Sequence, residues 1–259
     1  MAALIYKDLR LVLTGFSPLV VLAALGALLQ AFAGRPAMED HTLASINILL
    51  IIAPAIIAAV AGECFARERQ DGTLLSLGAT PVARWGLWCA KLISAAVGGM
   101  LVVGAMLAMA TVILLLGGLA AHEAVTLRVF VRDYAFIALA VAPAMAAGCH
   151  LTSCLSKRAF PATLSGIALA AAALIMAGTN GPPILLRLFG LPRNDFMVGM
   201  HAVVLGGLVT LCLLAASLYG FAVTPIAEHR LRARRTVVAL IVLLAPLVAL
   251  TALQLLMDL

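Results

Sequence analysis

The residues able to do chemistry are few, and most of them fall in one stretch. From Glu63 to Lys91 the chain reads ECFARERQDGTLLSLGATPVARWGLWCAK, with Glu63, Arg67, Glu68, Arg69 and Asp71 crowded at its start. Carboxylates there could hold a divalent ion, but such ions need several oxygen ligands, and Asp71 is the only aspartate between Asp40 and Asp133. A phosphate-binding loop would need G-x-x-x-x-G-K-[ST], yet no glycine is followed directly by Lys, so nucleotide chemistry is not expected in this chain. His150 and Cys154, spaced i, i+4, offer two ligands to a soft metal; with no further ligand in sight, ordinary packing near a helix end competes with that reading. Met100, Met106 and Met109 suggest copper or heme handling on one side and filler of an apolar helix on the other. No catalytic or metal-ligating residue is assigned. Glu63 is either an intramembrane acid or the partner of Arg67 one turn on, and the pair is the expectation.

The elements that must position these residues are set by composition. The 259 residues are 64% hydrophobic and 11% charged, with a mean hydropathy of +1.16, whereas soluble domains carry about 25% charged residues. The chain therefore reads as an all-α polytopic membrane protein whose six or seven spans leave no room for a soluble catalytic domain. Its amino terminus, MAALIYKDLR, shows no cleaved leader. The five cysteines lie in or beside apolar segments, which gives no disulfide framework.

Taken in order, residues 2–16 put Ile5, Leu9, Val12, Leu13 and Phe16 at helical spacing, as in an amphipathic surface helix. Spans are expected at about 18–32, 43–62, 90–117, 134–155, 161–178, 197–222 and 237–256. Segment 63–90 links the second and third, and Thr80-Pro81 signals a helix start. Trp85 and Trp88, the only tryptophans, fall in that helix's first turns, where rings favour the membrane boundary. Ser156-Lys157-Arg158 is a tight turn. Residues 178–196 form a hairpin or re-entrant element on the far side.

Charge tests this layout. With the amino terminus inside, Lys7, Arg10, Arg67, Arg69, Arg84, Lys91, Lys157, Arg158 and the four arginines of 230–235 face the cytoplasm. Only Arg35, Arg128, Arg132, Arg187 and Arg193 face outward, so 12 of the 17 cationic residues lie inside. The asymmetry puts the amino terminus in, the carboxyl terminus out and the Glu63–Lys91 stretch in the cytoplasm. It also explains the net charge of +6 by topology and not by nucleic-acid binding. In the stretch itself, Leu74, Leu75 and Leu77 place apolar surface where only water should be, as a docking helix requires. Gly72 and Gly78 can supply the bends that set this turn across the flanking helices.

The run ERQDGTLLSLGATPVARWGLWCAKL resembles the signature of the type 2 ATP-binding-cassette permeases, of the type V exporter kind: a Glu, then Gly-Thr, a leucine-rich turn, Pro, and a Lys at the start of the third span. The layout agrees as well, with a surface helix, a six-helix core, a basic turn between the fourth and fifth spans and an outer hairpin before the sixth. Val237–Leu256 adds a seventh segment that the family usually lacks. The resemblance implies that Glu68, Asp71, Gly72, Thr73, Leu74, Leu77, Gly78, Thr80, Pro81 and Arg84 form a coupling helix and its flanks, seated in a groove of a separate ATPase subunit. Glu63, Arg67, Trp85, Trp88 and Lys91 take structural or interfacial roles. It implies that ATP and Mg belong to that partner, that this chain carries no cofactor, that a second permease copy or paralogue completes the path, and that the site is the cytoplasmic membrane of a prokaryote. Heme-exporter subunits of similar kind, a membrane enzyme and a non-transporting scaffold are the alternatives. Asp71-Gly72 also resembles the opening of the membrane-embedded phosphatidyl-alcohol transferase site, but that site's later aspartates are missing here.

Overall fold

Alanine and leucine dominate the long apolar runs, and both residues favour helix with little entropic cost. The computed structural model describes residues 5–10, 38–73, 83–116, 140–177, 195–223 and 229–257, and among them all regular structure is helical. In chain order these are α1 (5–10), α2 (Met38–Gln70), α3 (Arg84–Leu116), α4 (Ala142–Leu155), α5 (Ala159–Met176), α6 (Asp195–Val223) and α7 (His229–Met257). The expected first span, the turn from Leu74 through Gly78 to Pro81, the start of the fourth span and the hairpin at 178–194 lie outside the described residues.

Helix α2 is 33 residues long and runs through Pro54 unbroken. At 1.5 Å per residue it extends about 50 Å, against a hydrocarbon core of about 30 Å, so it projects beyond the bilayer. It ends because Gly72 takes φ +72°, the left-handed region where a Cβ is costly. Asp71 N–H donates to the Arg67 carbonyl (2.9 Å) and Gly72 N–H to that of Arg69 (3.2 Å), closing the last turn. Helix α3 is described from Arg84, with Ala83 non-helical and its carbonyl accepting the Leu87 N–H at 3.1 Å.

Helix α4 sits at the centre, packed on α2, α5 and α6, while α7 lies mainly against α6. The interior is alanine-rich: Ala144, Ala147, Leu151, Ala170, Leu205, Val209 and Leu213 form its main cluster. Small residues let the helices approach closely. A Cβ on Gly166 would sit 2.4 Å from Cys149 Cα, and one on Gly148 would sit 2.5 Å from the Gly166 carbonyl oxygen. The turn between α4 and α5 is as short as expected: Ser156 Oγ donates to the Arg158 carbonyl (2.9 Å) and accepts its N–H (3.2 Å). Helix α5 and the Gly199–Ala222 stretch of α6 are long and apolar enough to cross a membrane. All five cysteines are free thiols.

Candidate coupling junction

Three helix ends meet at one end of this bundle, and a lysine joins them. Lys91, two turns into α3, is 1% exposed. A lysine so placed needs its ammonium paired and hydrogen-bonded to offset desolvation. Its Nζ donates at 2.9 Å to Asp8 Oδ1 on α1 and at 2.9 Å to Glu68 Oε1 near the end of α2. Lys7, half-exposed on α1, approaches the same Glu68 oxygen at 3.3 Å.

The other oxygen of Glu68 is taken as well. Thr73, just past the Gly72 bend, donates its hydroxyl to Glu68 Oε2, and the same hydroxyl lies 3.3 Å from the Glu68 carbonyl. The bend thus folds Thr73 back onto α2. Burial opposes the charge on Glu68, but the Thr73 and Lys91 hydrogen bonds outweigh it and hold this carboxyl down to about 2. Burial has the upper hand at Asp8, raising its carboxyl above the ordinary value despite Lys91. Asp8 Oδ2 is buried without a hydrogen-bond partner. Asp8, Glu63, Arg67, Glu68 and Lys91 border a cavity of about 40 Å³, enough for a water molecule.

A second set of contacts ties this junction to the rest of the bundle. Arg69 donates through Nη1 to the Ser156 carbonyl at 3.1 Å and through Nη2 to that of Cys154. Both carbonyls belong to the end of α4, where the free acceptors and the helix dipole favour a cation. Trp88 donates its indole N–H to Ser217 on α6 at 3.0 Å. Beneath it, Phe65, Leu87, Trp88, Cys154 and Phe221 form an apolar cluster, and Arg232 from α7 lies over the Phe221 ring at 5.4 Å.

Several residues named from sequence are therefore brought together. Glu68, grouped with the partner-facing residues, points inward and is 5% exposed. Thr73 joins it, whereas Asp71 and Gly72 are exposed at the tip. Glu63 and Arg67 form the expected one-turn ion pair, 3.5 Å and solvent-accessible. Trp85 is exposed at the surface, but Trp88 is turned inward and bonded to Ser217, so only one of the two rings lies where a boundary residue would. Arg84 is exposed. Leu74, Leu77, Gly78, Thr80 and Pro81 lie outside the described residues. The sequence reading did not foresee Asp8 as the second anchor of Lys91, nor Arg69 as the clamp on α4. The available signal was the chemistry itself: a lysine entering a span needs a carboxylate, and α1 offers one.

His150 is fully buried, packed between Phe65 (ring centroids 5.4 Å apart) and Trp88 (5.4 Å, edge-on). Cys154, its i, i+4 neighbour, lies 3.5 Å from Ser217 Oγ instead of sharing a ligand site with it. Among the described residues no group of three or more His, Cys, Asp or Glu is placed to hold a metal.

A family model described as ABC-2 family transporter protein matches residues 7–172, which includes Lys7, Asp8, Glu68, Thr73 and Lys91. No curated protein and no solved structure matches the chain.

Proposed function

Because the chain belongs to the ABC-2 family of transporter proteins, we propose that it is the permease subunit of an ATP-driven exporter, moved through its α2–α3 segment by a separate ATPase subunit. The observation that carries this reading is the double hold on Glu68, by Lys91 from α3 and by Thr73 from beyond the bend. A force applied to the segment after Gly72 reaches α2 through the Thr73–Glu68 contact and α3 through Lys91. Both helices then move together, and α1 moves with them through Asp8. ATP would draw two ATPase subunits together, each pulling one seated turn, and the permease would shift between two packings of the bundle. ATP and Mg belong to the ATPase; a second permease copy or paralogue supplies the other wall of the path. The protein resides in the cytoplasmic membrane of a prokaryote, with its amino terminus inside.

The test is copurification. Leu77→Asp would bury a charge in the docking groove, so the ATPase is expected to be lost from the purified complex while membrane insertion is kept. Undiminished association in detergent would sink the assignment of this turn. For the carboxyl terminus, which charge places outside, a reporter fused after Leu259 should be active only in the extracytoplasmic compartment. Cytoplasmic activity would mean that α7 does not span.

A further inference from the structure

Two ammonium groups meet one carboxylate oxygen at the junction. Glu68 Oε1 accepts from Lys91 Nζ at 2.9 Å and from Lys7 Nζ at 3.3 Å. The two cations differ in kind: the Lys91 side chain is 1% exposed and also donates to Asp8 Oδ1 at 2.9 Å, whereas that of Lys7 is 52% exposed. A half-exposed lysine adds little to a carboxylate that already has a buried ammonium. Its place is nevertheless set. Lys7 and Asp8 are consecutive on α1, so the bond that holds Asp8 on Lys91 also brings Lys7 to Glu68. Arg67, the other cation beside the small cavity here, is paired with Glu63 at 3.5 Å.

Such an arrangement matters when the helices are displaced. Lys91 serves carboxylates on two different helices and cannot follow both. A pull on Thr73 reaches Glu68 first and lengthens the Glu68–Lys91 contact before α3 follows. The buried Glu68 would then keep only the Thr73 hydroxyl, and a carboxylate so placed carries most of its desolvation cost. Lys7 removes that cost by closing from 3.3 Å to the 2.9 Å that Lys91 holds at rest. Asp8 has no such substitute: its Oδ1 is held by Lys91 and its Oδ2 is buried without a hydrogen-bond partner. Lys91 therefore stays with Asp8, and each buried carboxylate has its own ammonium.

We propose that Lys7 is a positioning residue of the transport cycle: it takes Glu68 over from Lys91 while the pull displaces α2 ahead of α3, so that no buried carboxylate is left without a cation. The hand-over rests on the permease reading for the pull, but not for the exchange of cations, which is tested first in the full chain without its ATPase. Lys7→Met alone should lower the melting temperature in detergent by no more than about 4 °C, as for a surface pair. In Lys91→Gln, whose amide still donates to Asp8 but brings no charge, Glu68 depends on Lys7, and adding Lys7→Met should lower it by roughly two to three times as much. Adding Glu68→Gln as well should abolish that excess, and Lys7→Arg, which keeps the charge, should not produce it. The cycle is then read in the complex with the copurified ATPase. Lys7→Met should leave the bound ATPase and the KM for ATP unchanged and reduce the maximal hydrolysis rate about tenfold, the worth of one charge-assisted hydrogen bond; Lys7→Arg should restore it. Equal melting shifts for Lys7→Met in every background would show a surface charge only and overturn the hand-over. An unchanged maximal rate would overturn its place in the cycle, whether or not Lys91→Gln folds. ATPase retained in Leu77→Asp counts against the coupling turn and leaves the melting comparison standing, so the two failures are read separately.

Discussion

Where α1, α2 and α3 meet, helices are joined by side chains that reach; in the α4–α5 hairpin they are joined by side chains that are missing. Lys91 extends to Asp8 and Glu68, each at 2.9 Å. At Gly148 and Gly166 the backbones themselves are in contact, because a Cβ on either would fall within 2.6 Å of the opposite main chain. The two joints are neighbours, linked by Arg69 and its hold on Ser156. Ion pairs draw on solvent and respond to charge, whereas a glycine contact is fixed by hard-sphere repulsion and offers no intermediate setting. A joint proposed to take up force and one that keeps two helices as a single body call for these different solutions.

The comparison breaks first, and most severely, at Lys91. Lys91→Met leaves the buried Asp8 carboxylate without its cation and Glu68 with only the half-exposed Lys7 at 3.3 Å, which costs about 3–5 kcal/mol. Adding Glu68→Gln and Asp8→Asn removes the stranded charges and should recover at least half of that loss, measured as melting temperature in detergent. A junction held by packing alone would lose little in Lys91→Met and gain nothing from the added changes.

Glycine contacts predict the reverse pattern. Gly166→Ala adds one methyl where the nearest atoms are Cys149 Cα and N, at 2.4 and 2.6 Å, which cannot rotate away. The cost should be about 1–3 kcal/mol, and no charge substitution nearby should rescue it. Gly207→Ala, on α6, serves as the control: its Cβ meets nothing within 4 Å, and alanine there should stabilise by up to about 1 kcal/mol. Equal responses at the two glycines would mean that α4 and α5 are not in contact at Gly166.

These two joints also differ in how far they can be read from residues alone. The membrane character, the helical class, the short Ser156–Arg158 turn and the bend at Gly72 follow from composition, spacing and the special φ of glycine. The family was legible in the order Glu68, Gly72-Thr73, Pro81, Lys91, since that order survives without any knowledge of packing. What was not legible is direction. Glu68, Arg69 and Asp71 lie within four residues of one another on a polar segment, and one points into the junction, one to the end of α4 and one to solvent. A helical wheel cannot assign these directions until the neighbours are placed. Asp8 was visible only as a polar residue on a surface helix, because its partner lies 83 positions away. The Gly148–Gly166 contact was equally hidden among many small residues in apolar spans.

The finest distinction between the joints is their response to pH, and its sign can be worked out group by group. Glu68, held down to about 2 from an ordinary 4.5, contributes stability that is complete above 4.5 and lost as pH falls toward 2. Asp8 is shifted the other way: its raised carboxyl favours the folded state below its ordinary 3.8, and that contribution is lost as pH rises through the folded value. The two oppose each other, so the wild-type melting temperature should fall only modestly between about pH 4.5 and 3. Asp8→Asn removes the compensating group and should make the fall steeper; Glu68→Gln should flatten it. Trp85→Phe leaves Trp88, one turn from Lys91, as the sole tryptophan, so its fluorescence can report the junction directly. Gly166→Ala should lower the curve without changing its slope, because the contact is with Cys149 and involves no carboxylate. Identical slopes for Asp8→Asn, Glu68→Gln and wild type would mean that the junction's charges do not set its stability.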